Sequence, residues 1–361
     1  MLIYSMFSLN IEMPNLKTDY TIRRLQKTGG STLIVSLPKE WAERMQLNKF
    51  DEIVIITTDT GILHIIPKHL TEDNSGNEYT LEANGNEKPE DILRGYIAAY
   101  LVGYNTIRIK FREEPRGLAH EIRQLIRRWL IGVEVVEETR YEIVTQCLPM
   151  HNSLPLMKAI ERMGSIASGM QREAITALEE LDRGVASEIQ PRDDEVDRFY
   201  HFIVRQLNLA VANPLILNSL GLRNTQDCLG YMLVTKSIER AADHASAIAG
   251  IVSSLPTQRN NILSRIAESG HTANGLFNNA LEGLLKSSKE QAKRVISETK
   301  EATGWINQLY LRVLERTKSP SLATSYRLLL ENIRRIAEYS SDIAEVVVNL
   351  AIDKPVALMN Y

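Results

Sequence analysis

A multidomain α+β fold is predicted by three changes of periodicity along the 361 residues. Residues 18–68 read as short β-type runs around one helix-start signal, residues 89–148 alternate helical and strand patterns, and from Leu154 onward the chain is nearly all helical. This length exceeds one ordinary domain, and 44% hydrophobic with 24% charged residues fits units that each bury a core. The expected boundaries are a flexible N-terminal arm over 1–17, a β module over 18–70, a small α/β domain over 78–148 and an all-α domain over 153–353.

In the first zone, Thr32–Leu37 reads as a strand, and Pro38 sits where an N1 proline opens a helix over Lys39–Met45. Val54-Ile55-Ile56 and Ile62–Ile66 flank the turn residues Asp59-Thr60-Gly61, the pattern of a hairpin. Residues 69–88 are a polar linker enclosing a weak strand near Tyr79-Thr80-Leu81. Beyond it, Pro89–Val102 and Leu118–Leu130 read as helices, and Thr106–Phe111, Val133–Glu137 and Tyr141–Cys147 as strands. This α/β stretch has no Gly-rich phosphate loop and no clustered nucleophile, base and acid, so no chemistry is assigned to it.

In the helical zone, Ile160, Met163, Ala167, Met170, Ala174, Ala177 and Leu181 keep an alternating three/four spacing, the seam of a bundle or coiled coil. Further helices are expected at Val196–Val211, Gly230–Val252, Ile262–Leu285, Ala292–Leu314 and Leu322–Ile352, broken at Asn213-Pro214, Leu255-Pro256 and Ser319-Pro320. About six helices in this zone suggest two three-helix units, over about 153–253 and 260–353.

The formal net charge is −3, so no global basic field advertises nucleic acid and any such site is local. Lys17, Arg23, Arg24, Lys27 and Lys39 form such a patch against the single acid Asp19. Cys147 and Cys228 form no Cys-x-x-Cys pair and fit structural thiols in a reducing compartment. No apolar run reaches 18 residues, so no membrane insertion is expected. The N-terminal stretch is apolar but short, lacks a basic start and contains Glu12, and Met6 or Met13 could be the true start. A cytoplasmic location follows as the expectation.

The segment Arg23–Trp41, with Lys27-Thr28-Gly29-Gly30-Ser31, a strand, Ser36-Leu37-Pro38-Lys39-Glu40-Trp41 and the closing hairpin to Pro67, resembles the AbrB/SpoVT/MazE swapped-hairpin family. Phe50, before Asp51, stands where that family usually has glycine, so this turn is expected to differ. The resemblance implies two interlaced chains, hence a homodimer or higher homo-oligomer, and DNA binding. Arg23, Arg24, Lys27 and Lys39 are the DNA-binding candidates: their charge can release counterions from phosphates, and arginine can read guanine edges bidentately. The alternative is a dimerisation device with a solvated basic face.

Asp193 and Asp197, and Glu239 and Asp243, are acids at i and i+4, stacked on one helix face at the margin of an apolar stripe. Like charges so placed repel. A cation bridging carboxylates from two helices would offset that cost; salt bridges to Arg192, Arg198 and Arg240 are the alternative. His201 continues the first face as a candidate further ligand, or as a capping or solvated histidine. These segments resemble the paired E/D-x-x-x-D signatures of the PhoU family, with its two tandem three-helix repeats. A transition metal ion (Fe, Zn or Mn) at the first repeat is the implied cofactor. Aligning Phe199-Tyr200 with Leu309-Tyr310 sets Thr303 and Asn307 opposite Asp193 and Asp197; aligning Ile238–Asp243 with Ile333–Glu338 sets Arg334 opposite Glu239 and Glu338 opposite Asp243. The second repeat has lost three of the four acids, so one metal cluster is expected.

The pairing resembles the archaeal type of phosphate uptake regulator. It implies a non-enzymatic transcription regulator that binds promoters of phosphate-related genes, with its helical half sensing phosphate status or docking a partner. The second reading is an adaptor that does not bind DNA and acts on a phosphate transporter ATPase or a sensor kinase. The third, a metal-dependent hydrolase, lacks a companion base and a phosphate cradle.

Overall fold

The computed structural model describes residues 21–57, 61–69, 77–84, 87–113, 117–148 and 154–352. The expected arm over 1–17, both alternative start methionines, Lys17, Asp19, Asp59-Thr60 of the hairpin tip and residues 70–76 of the linker lie outside these residues. The chain divides into two compact units, residues 1–55 with 65–72 and residues 56–64 with 73–361.

In the first unit, β1 (Gln26–Thr28) pairs antiparallel with β2 (Thr32–Ile34), Gln26 opposite Ile34 and Thr28 opposite Thr32. Gly29, at φ 62°, supplies the left-handed residue between them. The strand expected to reach Leu37 stops at Ile34, because β1 begins at Gln26 and offers Val35-Ser36-Leu37 no partner. Pro38 is the N-cap of α1 (Lys39–Arg44), one position before the expected N1, and its carbonyl accepts from Ala42 N at 3.0 Å. Phe50 adopts φ 78°, so the glycine-type turn is kept by a residue that pays for it in backbone strain; Asp51 Oδ2 braces that turn by accepting from Asn48 N at 2.6 Å. The strands β3 (Ile53–Thr57) and β4 (Leu63–Pro67) pair as a second two-stranded sheet. Across the described part of residues 21–69 only Ile56 and Pro67 are buried, while Ile22, Leu25, Leu33, Phe50, Ile55 and Leu63 stand exposed.

The second unit opens with an α/β layer: β5 (Glu78–Ala83), α2 (Pro89–Val102), β6 (Thr106–Phe111), α3 (Leu118–Trp129), β7 (Val133–Thr139) and β8 (Glu142–Cys147). The sheet order is β5-β6-β8-β7; β5 and β6 are parallel, which requires the α2 crossover, and the other pairs are antiparallel. Alternation along β6 sends Ile107, Ile109 and Phe111 into a core with Tyr96, Tyr100, Ile122 and Ile126. The opposite face carries Arg108, held by Glu78 at 2.6 Å and Glu142 at 2.9 Å.

The remaining chain is α4 (Leu156–Glu180), α5 (Arg183–Ala212), the short α6 (Pro214–Ser219), α7 (Thr225–Ser254), α8 (Asn261–Leu285), α9 (Lys289–Arg316) and α10 (Pro320–Leu350). The predicted seam from Ile160 to Ala177 is fully buried along α4. The helix expected from Val196 begins at Arg183, capped by Asp182 Oδ1 on Gly184 N at 2.8 Å, and runs through Pro191. The break at Asn213-Pro214 becomes a new cap, Asn213 Oδ1 accepting from Leu215 N at 2.9 Å. The two triplets of long helices share one core, since α7 packs on α10 and α4 on α8. At the α4–α8 crossing, a Cβ on Gly164 would stand 2.7 Å from Leu281 and one on Gly270 2.8 Å from Ile175.

One face of α5 grips the α/β layer. Arg205 is 5% exposed, and its guanidinium donates to the Tyr100 carbonyl, to Gly103 O at 3.3 Å and to Asn105 Oδ1 at 3.1 Å, lying 4.8 Å over the Tyr100 ring. These carbonyls close the C-terminal, negative end of α2, which favours a cation there. Asn208 Nδ2 donates to Leu101 O at 2.8 Å, and Arg128 of α3 reaches Asp194 with Nε–Oδ2 at 2.6 Å. Gly103, at φ 115°, faces Leu209 so closely that a Cβ would lie 2.8 Å from it. Gly103→Ala is therefore expected to lower the unfolding free energy by roughly 2–4 kcal/mol, combining left-handed strain with overpacking; urea unfolding of the full chain measures it.

Candidate functional site

The strongest site lies between α5 and α7. A 30-residue helix places Asp193 and Asp197 one turn apart on α5, and α7 packs against it with Glu239 and Asp243 equally spaced. All four sequence-chosen acids come together. Burial pushes Asp197 up to about 7, and the charges of Asp193, Glu239 and Asp243 add to it. Burial and then Asp243 push Asp193 up to about 6. Asp243, although part of its side chain reaches solvent, is also raised, by the packing around it and by Glu239.

The local cations satisfy this cluster only in part. Lys236, three residues before Glu239, bonds its Oε1 at 2.6 Å and lies 4.8 Å over the Tyr200 ring. Glu239 Oε2 is buried with no hydrogen-bond partner. Of the arginines expected as salt-bridge partners, Arg192 pairs with Glu173 and Arg240 reaches Tyr339 OH at 3.5 Å, while Arg198 Nε is buried without a partner. An orphaned carboxylate oxygen beside three acids of raised pKa is an arrangement that a cation would relieve. Among the described residues, no group of three or more His, Cys, Asp or Glu already stands in metal-ligand geometry.

His201 caps the C-terminal end of α3 rather than lying free in solvent. Its Nδ1 lies 3.2 Å from the Trp129 carbonyl, its ring 6.1 Å from Trp129, and burial lowers its pKa. It belongs to the grip on α3. Lys236 is the residue that the sequence reading missed; its signal was the i,i+3 spacing to Glu239.

The basic candidates lie on the first unit. Lys27 is on β1, and Arg23 and Arg24 lie beside it, just before its first residue. All three are exposed and, among the described residues, have no acidic partner. Lys39, in the first turn of α1, faces Glu43 at 3.6 Å in a fully solvated pair, which is worth little.

Residues 26–73 match the family model described as antidote-toxin recognition MazE, bacterial antitoxin, and residues 160–252 match that of the PhoU domain. The chain thus carries a MazE/AbrB-like domain joined to a PhoU domain. Among curated proteins it is 32% identical to a phosphate-specific transport system accessory protein PhoU homolog of Caulobacter vibrioides, over 30% of this chain and 44% of that protein. It therefore spans less than half the length of that relative. A PhoU homolog of the same description from Clostridium acetobutylicum is 21% identical over 55% of this chain and 91% of its own length. Solved structures similar in part are PhoU from Pseudomonas aeruginosa (TM-score 0.47, 18% identity, 54% of this chain, 94% of that one) and the phosphate transport system regulatory protein PhoU from Streptococcus pneumoniae (TM-score 0.45, 21% identity, 54% and 92%).

Because Asp193 and Asp197 titrate at about 6 and about 7 when folded, against 3.8 as free side chains, the folded state holds protons that the unfolded chain releases. Stability of chelator-treated protein is expected to fall as pH rises through that window and to be lowest above it. Asp197→Asn should flatten this dependence and raise the melting temperature at alkaline pH. A midpoint indifferent to both changes would leave the acids as ordinary solvated charge.

Proposed function

We propose that this protein is a cytoplasmic, DNA-binding regulator of phosphate uptake that acts through regulation rather than catalysis. Its N-terminal module reads promoters of phosphate-related genes as a homodimer or higher homo-oligomer. Its PhoU-like half senses phosphate status or docks a phosphate transporter ATPase or sensor protein. The observation that carries the reading is one chain joining a MazE/AbrB-like module with unpaired Arg23, Arg24 and Lys27 to a PhoU domain. Dimerisation is supported by the module's own surface: its described residues include only two that are buried, and a second copy would cover its exposed strands. Helices long and apolar enough to cross a membrane are absent among the described residues.

Asp193, Asp197, Glu239 and Asp243 would hold a transition metal ion (Fe, Zn or Mn), with the buried Glu239 Oε2 as its best-fitted oxygen. Bound there, the ion supplies charge neutralisation and a tie between α5 and α7. A second reading, a PhoU-type adaptor that binds protein rather than DNA, is favoured by the recognition of a toxin named in the MazE model's description.

Gel retardation on the protein's own promoter region separates the two. Six phosphate contacts from two copies would weaken binding about 10³-fold between 50 and 200 mM salt. Arg23→Ala with Arg24→Ala should abolish retardation while leaving the circular dichroism unchanged; folded protein that shifts no DNA at low salt is the adaptor. For the metal, chelator-free protein should carry a stoichiometric ion by elemental analysis and lose it with Asp193→Ala plus Asp197→Ala.

A further inference from the structure

The second repeat keeps the helix pattern of the α5–α7 site but loses its excess of acids. In the sequence alignment of the repeats, Asp197 becomes Asn307, Tyr200 becomes Tyr310, and the pair Lys236–Glu239 becomes Glu331–Arg334. The structure brings these second-repeat residues together. A cleft of about 260 Å³ opens between α9 and α10, floored by the buried Ile306 and Leu330 and lined by Asn307, Tyr310, Arg327, Arg334 and the arginine-paired Glu331.

The hydrogen-bond inventory of this cleft is surplus in donors. Arg334 places Nε at 3.1 Å and Nη2 at 2.7 Å on the two oxygens of Glu331, and Nη1 on Glu338. A guanidinium has five N–H groups, so two remain beyond these three bonds. Arg335 completes the balance, with Nε 3.3 Å from Glu331 and Nη1 3.2 Å from Glu338. Two arginines and two glutamates thus neutralise each other, and the Glu331 carboxylate is occupied on both oxygens. Arg327 is left over as an uncompensated cation, and Asn307 and Tyr310 present side-chain polar groups with no partner in the described structure. A half-enclosed apolar floor, one surplus guanidinium, spare N–H groups, an amide and a phenol are the elements of a phosphoryl-oxyanion site.

We infer that the α9–α10 cleft binds a small tetrahedral oxyanion, the phosphate group of inorganic phosphate or of a phosphate monoester. This deepens the regulatory reading by naming the ligand class and its place, at the repeat opposite the acidic site. The anion rests on the cleft's own donors and needs neither DNA nor metal, so its test fails independently of theirs.

Titration calorimetry of the full, chelator-treated chain with inorganic phosphate, and separately with glycerol phosphate, tests it in the absence of DNA. One saturable site per chain is expected. Arg327→Ala combined with Asn307→Leu, both at exposed positions, should weaken it about tenfold or more, and Arg327→Lys should restore part of the loss. Asp197→Asn should leave it unchanged. Tighter binding of the ester than of the free ion assigns the physiological source to an ester, and the reverse to phosphate itself. Absence of saturation by both ions in folded wild-type protein overturns the assignment. So does undiminished binding by the double variant, or loss of binding only in Asp197→Asn.

Discussion

Arg205 is the contact on which the second unit depends. Its guanidinium lies almost entirely out of water with no carboxylate beside it. The positive charge is balanced by three carbonyl-type oxygens at the end of α2 and by the face of Tyr100. Tyr100 O already accepts from Gly103 N at 3.2 Å and Gly103 O from Asn77 Nδ2 at 3.1 Å, and Arg205 fills the remaining acceptor capacity of this buried helix end. Neither partner can leave without exposing the other, and the grip fixes where α5 sits on the α/β layer. Since Asp193 and Asp197 ride on that same helix, the carboxylate cluster inherits its position from a bond made by a different face of α5.

Much of this was written in local periodicity. The α4 seam, the α2 and α3 helices and the two acidic pairs follow from spacing alone, because helical periodicity converts directly into shared faces. The N-terminal residues of α5 did not: Pro191 and the charged run after it look like a boundary, and only packing carries the helix through them. The contact between α5 and the α/β layer was also illegible. Arg205 reads as an ordinary basic residue, and two of its three acceptors are main-chain oxygens, which have no signature in sequence. The partner that His201 caps was hidden for the same reason, being the carbonyl of Trp129.

The altered second repeat was half legible. Alignment gave the loss of acids, and the structure added that the replacements converge on a cleft with Arg327, which lies outside the aligned motif. Duplicated helices diverge easily in this way: the apolar stripe must be kept to fill the shared core, whereas residues at its margin are free to change sign. A fold of this kind can change the charge at two related helix margins without altering its backbone plan.

The described part of residues 21–69 buries two side chains, so little apolar burial within it holds these short strands together. With a second copy as the proposed cover, the share of chains whose strands are covered would follow the abundance of the chain itself.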